Sequence, residues 1–150
     1  MAVLMYKRIL VCLENSGTDA HIVEHIGPLA KLCRASVLLI HVADGWAARN
    51  IKQLDLRESE EMREDREYLE RVAAGFVAAG VPAEAILATG DPATEVTATA
   101  ARERCDLIAM ATHGHKLIGD VIHGSVANQV RHKSMVPVLL VRAPTKAAVT

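Results

Sequence analysis

The chain has 150 residues, a formal net charge of −1 and a hydrophobic share of 51%. Its length suits one domain over residues 1–150 with a real core, and that core is aromatic-poor, since Tyr6, Trp46, Tyr68 and Phe76 are the only Phe, Trp or Tyr residues. The near-neutral charge gives no reason to expect nucleic-acid binding, and no apolar run reaches the roughly 18–20 residues that span a bilayer.

In chain order, Lys7-Arg8 precede a short apolar run, Ile9 to Leu13, that reads as a buried strand. Glu14 to Gly17 is a loop, and Thr18 or Asp19 is the expected N-cap of a helix. Ile22, Val23, Ile26, Leu29, Ala30 and Cys33 recur at helical spacing, and Gly27-Pro28 predicts a kink, because proline removes one helical hydrogen bond. Ser36 to Val42 is the second strand. Ala43 to Gln53, with Gly45 and Trp46, reads as a long connection.

Leu54 to Ala79 is helical, with Met62, Leu69, Val72, Phe76 and Val77 available for an inner face. Its charge-dense part, which includes Glu61, Glu64, Asp65 and Arg66, reads as a solvated face. Gly80 stops this helix. Ala83 to Ala88 is a third strand, Gly90-Asp91-Pro92 a turn, and Pro92 opens a helix to about Arg104. Asp106 to Ala111 is a fourth strand, Ser125 to Lys133 a last helix, and Val138 to Arg142 a fifth strand after Pro137. Ala143 to Thr150 carries no pattern. Strands that alternate with helices argue for an α/β fold around a parallel sheet.

The three cysteines, Cys12, Cys33 and Cys105, are widely spaced and form no CxxC pair. A disulfide framework and a cysteine zinc site are therefore not expected, and a reducing cytoplasm is the simplest compartment. All three read as buried packing residues. His41, inside an apolar strand, reads as a hydrogen-bonded core histidine. The first 15 residues lack the pattern of a cleaved signal peptide.

The stretch after the fourth strand carries the chemistry. Gly114 lies just past that strand, and nine residues separate it from Gly124, which Ser125 follows. Glycine lets the backbone approach an anion, a helix N-terminus offers free N–H groups, and a serine hydroxyl adds a donor. Between Ala111 and Lys133 the only acid is Asp120, against Lys116, Arg131, Lys133 and four histidines. His113, His115 and His123 would suit phosphate; a zinc site is the weaker reading, because no acidic or cysteine partner has matching spacing. A simple N-cap would also explain Gly124-Ser125 taken alone. No Walker motif, G-x-S-x-G elbow, paired carboxylates or acidic magnesium cluster is present.

From Tyr6 to Arg142 the chain resembles the universal stress protein family, whose nucleotide-binding members carry G-x2-G-x9-G-[ST] after the fourth strand. Gly114, Gly124 and Ser125 match that pattern, and Ala111 stands where the first glycine would be. The resemblance implies a doubly wound, Rossmann-like sheet of five parallel strands in the order 3-2-1-4-5, of the adenine nucleotide alpha hydrolase type, with helices on both faces. It implies a ligand crevice at the switch point between strands 1 and 4.

It further implies ATP, ADP or AMP as ligand, with Mg²⁺ carried on the phosphates. The residues implied are Cys12, Leu13, Glu14, Val42, Met110, Ala111, Gly114, His115, Gly124, Ser125 and Val126. Gly114, Gly124, Ser125 and Val126 would meet phosphate. Glu14, where the family has Asp, would meet the base and ribose. Cys12 and Leu13 would form an apolar wall, and the Val42 backbone would meet adenine. Hydrolysis is expected to be slow or absent, with no catalytic residue and no resident metal. The alternative is a dimeric interaction module that binds no nucleotide. A slow ATPase, or autophosphorylation at Ser125, lacks an identifiable base. The resemblance also implies a homodimer through the last strand, whose apolar edge needs covering.

Overall fold

Five short runs rich in Val, Ile, Leu and Ala form the sheet, because such runs can be buried on both faces. The computed structural model describes residues 5–43, 60–113 and 118–143, with backbone alone at 113 and 118–125. The strands are β1 (Arg8–Cys12), β2 (Ser36–Ala43), β3 (Ala83–Thr89), β4 (Leu107–His113) and β5 (Val138–Ala143). All neighbouring pairs are parallel, in the order β3-β2-β1-β4-β5. This is the expected order, and it puts the reversal of chain direction between β1 and β4.

The helices are α1 (Asp19–Cys33), α2 (Glu60–Ala78), α3 (Pro92–Arg102) and α4 (Ile118–Lys133). Successive strand residues face opposite sides of a sheet. Ile9, Val11, Val37, Leu39 and Ala109 accordingly pack with Ile22 and Ile26 of α1 and with Leu69 and Phe76 of α2. Leu10, Leu38, Ile40, Ile108 and Met110 pack on the other side with Val96 and Ala100 of α3 and Ala127 and Val130 of α4. Each fully buried Ile or Leu in these layers contributes about 1.5–3 kcal/mol relative to exposure.

Several boundaries differ from expectation. β4 runs two residues past its expected end at Ala111, to His113, and Ala111 pairs with Val141. α1, in contrast, has the expected extent, running through Gly27-Pro28 to Cys33. The connection at 44–59, with Trp46 and the expected helical start at Leu54, lies outside the described residues. α2 ends where expected: Gly80 adopts φ +92°, and the Val81 N–H returns to the Phe76 carbonyl at 2.9 Å. Val77 is 56% exposed rather than on the inner face.

The largest difference is α4, which begins at Ile118 instead of Ser125. Ile118, Val121 and Ile122 stand at i, i+3 and i+4 ahead of Val126, so the helical apolar pattern reaches back through the motif. Gly124 and Ser125 are therefore inside the helix and not at its N-terminus.

Candidate functional site

The carboxyl ends of β1, β2 and β4 converge on a cavity of about 260 Å³. Its walls are Cys12 at the end of β1 with Leu13 and Glu14 after it, Ile40, His41 and Val42 of β2, Met110 and Ala111 of β4, Pro92 and Val96 of α3, and Val126 of α4. The volume is just under the roughly 300–1,000 Å³ of small-molecule sites, space for a ring and sugar more than for a whole nucleotide. The lining is apolar, with one carboxylate and one imidazole at the rim. A second cavity of about 580 Å³ shares Glu14, His41, Val42 and Pro92 with it and adds Asn15, Glu61, Glu64, Asp65 and Gly90.

Seven of the eleven residues expected from the sequence line the first cavity: Cys12, Leu13, Glu14, Val42, Met110, Ala111 and Val126. Gly114 and His115 lie outside the described residues. Gly124 and Ser125 are described by backbone only, within α4. Ala111 is a strand residue and is not among the described residues with positive φ, so its methyl group introduces no backbone strain there. Arg131 and Lys133, expected to supply a positive field, do not line the cavity. Arg131 donates to Asn128 at 3.3 Å, and Lys133 donates to Thr94 of α3 at 3.3 Å. His113 and His123 carry no side-chain description. Among the described residues, no three His, Cys, Asp or Glu side chains form a group able to hold a metal ion.

The loop that carries Glu14 is built around Asp19, which is 1% exposed. Thr18 is the N-cap but makes no side-chain capping bond. Asp19 instead accepts from the backbone N–H groups of Glu14, Asn15 and Ser16 at 3.0, 2.8 and 3.4 Å. It also accepts from the Tyr68 hydroxyl of α2 at 2.7 Å. Asn15 adopts φ +58°, a conformation that Asn tolerates better than most residues. Glu14 accepts from the Thr18 hydroxyl at 3.4 Å. Two residues before Glu14, burial pushes the Cys12 thiol up to about 12.

On the β3 side, Gly90 adopts φ +126°, and a Cβ there would stand 3.0 Å from the Glu95 carboxylate. Asp91 then caps α3, accepting from the Thr94 N–H at 3.0 Å and its hydroxyl at 2.7 Å, and so holds Pro92 in the cavity wall. These bonds to Thr94 favour the ionised carboxyl and lower its pKa.

Asp65 was not anticipated in this region. It is 8% exposed, not on a solvated face. It accepts from Asn15 Nδ2 at 2.9 Å and stands 3.4 Å from His41 Nε2. The other ring nitrogen of His41 meets the Leu13 carbonyl at 2.8 Å, which makes His41 the hydrogen-bonded histidine expected of β2. A signal was present: Asp65 stands four residues before Leu69, on the stripe that continues through Ala73 and Phe76. A charge run hides one inward-facing acid unless each residue is placed on that stripe.

The sequence model of the Universal stress protein family matches residues 5–142. The chain belongs to the universal stress protein family. One relative, a universal stress protein of Methanocaldococcus jannaschii, is 30% identical over 95% of this chain and 85% of its own length. Another of that organism, MJ0577, has a solved structure with a TM-score of 0.79 and 26% identity, covering 95% of this chain and 99% of that one. A family member from Archaeoglobus fulgidus, solved in complex with dAMP, shares the fold at TM-score 0.69 and 20% identity over 91% of this chain and 98% of its own. A universal stress protein solved in complex with cAMP does so at TM-score 0.70 and 19% identity, over 92% and 98% respectively.

Proposed function

We propose that this protein is a cytoplasmic sensor or regulatory switch that binds ATP or a related adenine nucleotide and turns it over slowly or not at all. The observation that carries this reading is the cavity at the β1–β4 switch point, lined by Cys12, Leu13, Glu14, Val42, Met110, Ala111 and Val126. Its apolar walls suit a flat heterocycle, and the Glu14 carboxylate suits a ribose hydroxyl or an exocyclic amine. Open α/β sheets bind ligands at this place. Relatives solved with dAMP and cAMP support an adenine nucleotide as the ligand class. Gly114, His115, Gly124 and Ser125 would serve the phosphate end, and any Mg²⁺ would arrive on the phosphates themselves.

The test is mass spectrometry of the small molecules released on denaturing protein purified without added nucleotide, followed by titration with ATP and Mg²⁺. Near-stoichiometric adenine nucleotide, or saturable binding, supports the reading. A flat titration overturns it.

One observation favours the alternative, an interaction module without nucleotide: the helical backbone through Gly124 and Ser125 engages the N–H groups that phosphate would need. Its partner would be a second copy of the chain. β5 is the edge of the sheet, and Leu140 on it is 45% exposed, so this strand offers the surface for a homodimer. Light scattering on wild type and Leu140→Lys tests that surface. A monomeric wild type excludes it.

A further inference from the structure

One helix, α2, contributes Glu61, Glu64 and Asp65 to the larger cavity and no residue to the smaller one. Asp65 and Tyr68 lie three positions apart on α2 and therefore on one face. Tyr68 donates to Asp19, the carboxylate that gathers the backbone of Glu14, Asn15 and Ser16. Asp65 accepts from the Asn15 side chain at 2.9 Å and faces His41 Nε2 at 3.4 Å. His41 in turn grips the Leu13 carbonyl at 2.8 Å. A carbonyl only accepts, so Nδ1 carries the proton in that bond and Nε2 is the nitrogen turned to Asp65.

We propose that Asp65 is a positioning residue of the nucleotide site: through Asn15 it holds the Glu14 loop, and through His41 it holds the end of β2, which sets the gap between Glu14 and Val42. The inference rests on the nucleotide reading given above. Asp65 does not line the smaller cavity, whereas His41, Leu13, Glu14 and Val42 do. Its effect is therefore indirect. Of its partners, His41 lines that cavity, and Asn15 is the chain neighbour of Glu14, which does.

A carboxylate only accepts, so the wild-type link to His41 forms when Nε2 carries a proton as well. In Asp65→Asn the amide oxygen still accepts from Asn15, and the amide nitrogen donates to Nε2 when that nitrogen carries no proton. Both links survive in that variant, and both are lost in Asp65→Ala. Asn15→Gly removes only the first link, because glycine adopts the φ of +58° at no cost.

The experiment is calorimetric titration of ATP and of AMP into wild type, Asp65→Ala, Asp65→Asn and Asn15→Gly, each shown to be folded by circular dichroism. Asp65→Ala is expected to lose about tenfold in affinity for both nucleotides, the worth of one or two good hydrogen bonds. Equal losses are expected because ATP and AMP share the base and ribose. Asp65→Asn restores binding, and Asn15→Gly shows a partial loss of about threefold.

Wild-type affinity in a folded Asp65→Ala overturns the proposal. So does failure of Asp65→Asn to rescue, or a loss confined to ATP, which would place the effect at the phosphate end. Should Asp65→Ala not fold, Asn15→Gly decides, and unchanged affinity there overturns it. A wild type that binds neither nucleotide overturns the nucleotide reading itself, and the positioning role with it.

Discussion

The Tyr68 hydroxyl donates to the Asp19 carboxylate at 2.7 Å, which ties the middle of α2 to the first residue of α1. Burial and this hydrogen bond both push the Tyr68 phenol above its ordinary 10.0. In the unfolded chain the phenol loses its proton near that ordinary value, while the native protein keeps it. The stabilisation is therefore complete below pH 10 and declines as pH rises beyond it. Tyr68→Phe is expected to cost about 1 kcal/mol at neutral pH. Urea unfolding of both proteins at pH 7, 9, 10 and 11 checks this: the gap between them should stay level to about pH 9 and then narrow. A gap that widens with pH would contradict the assignment.

Ala111 lies in β4 and pairs with Val141, where its backbone is ordinary strand. An alanine there should be as good as a glycine for the ligand. Ala111→Gly is expected to leave ATP affinity within about twofold while costing roughly 0.5–1 kcal/mol of stability, since glycine weakens a strand interior. Calorimetry and thermal unfolding measure the two effects separately. A tenfold gain in affinity would mean that the methyl group obstructs the site.

Cys12 faces the cavity, yet burial pushes its thiol up to about 12 from an ordinary 9.0. The thiolate is the reactive species, so native Cys12 should react with iodoacetamide at pH 8 orders of magnitude more slowly than a free thiol. Cys33 and Cys105 are buried and should be equally inert. Mass spectrometry should find no modification in native protein and three modified cysteines after denaturation, the full number in the chain. Rapid labelling of Cys12 would contradict the burial that raises its thiol.

The sheet was legible because both of its faces are buried, so each strand reads as a compact apolar run bounded by loop residues. Strand order came from the family resemblance, since alternation alone does not rank neighbours. The cavity walls were legible through the same resemblance, because Leu13, Val42 and Met110 are indistinguishable from core by composition. Asp65 was hidden for a different reason. It sits in a run of Glu and Arg, and its burial follows from the four-residue step to Leu69 and from His41 and Asn15, which are remote in sequence. The start of α4 was misplaced because Gly124-Ser125 imitates an N-cap, while the weaker Ile118, Val121, Ile122 pattern runs straight through it.

That same stretch decides between the two readings of function. Gly124 lies about two turns into α4, where its backbone is helical. Valine has the better helix propensity there, so Gly124→Val should fold and gain a few tenths of a kcal/mol. Under the nucleotide reading, its branched side chain occupies the space that phosphate needs, and ATP affinity should fall by about a hundredfold, some 2.7 kcal/mol. AMP, with a single phosphate, should lose less. Calorimetry on the folded variant provides the comparison. Unchanged ATP binding would remove Gly124 from the site and leave the base end, between Glu14 and Val42, as the whole of it.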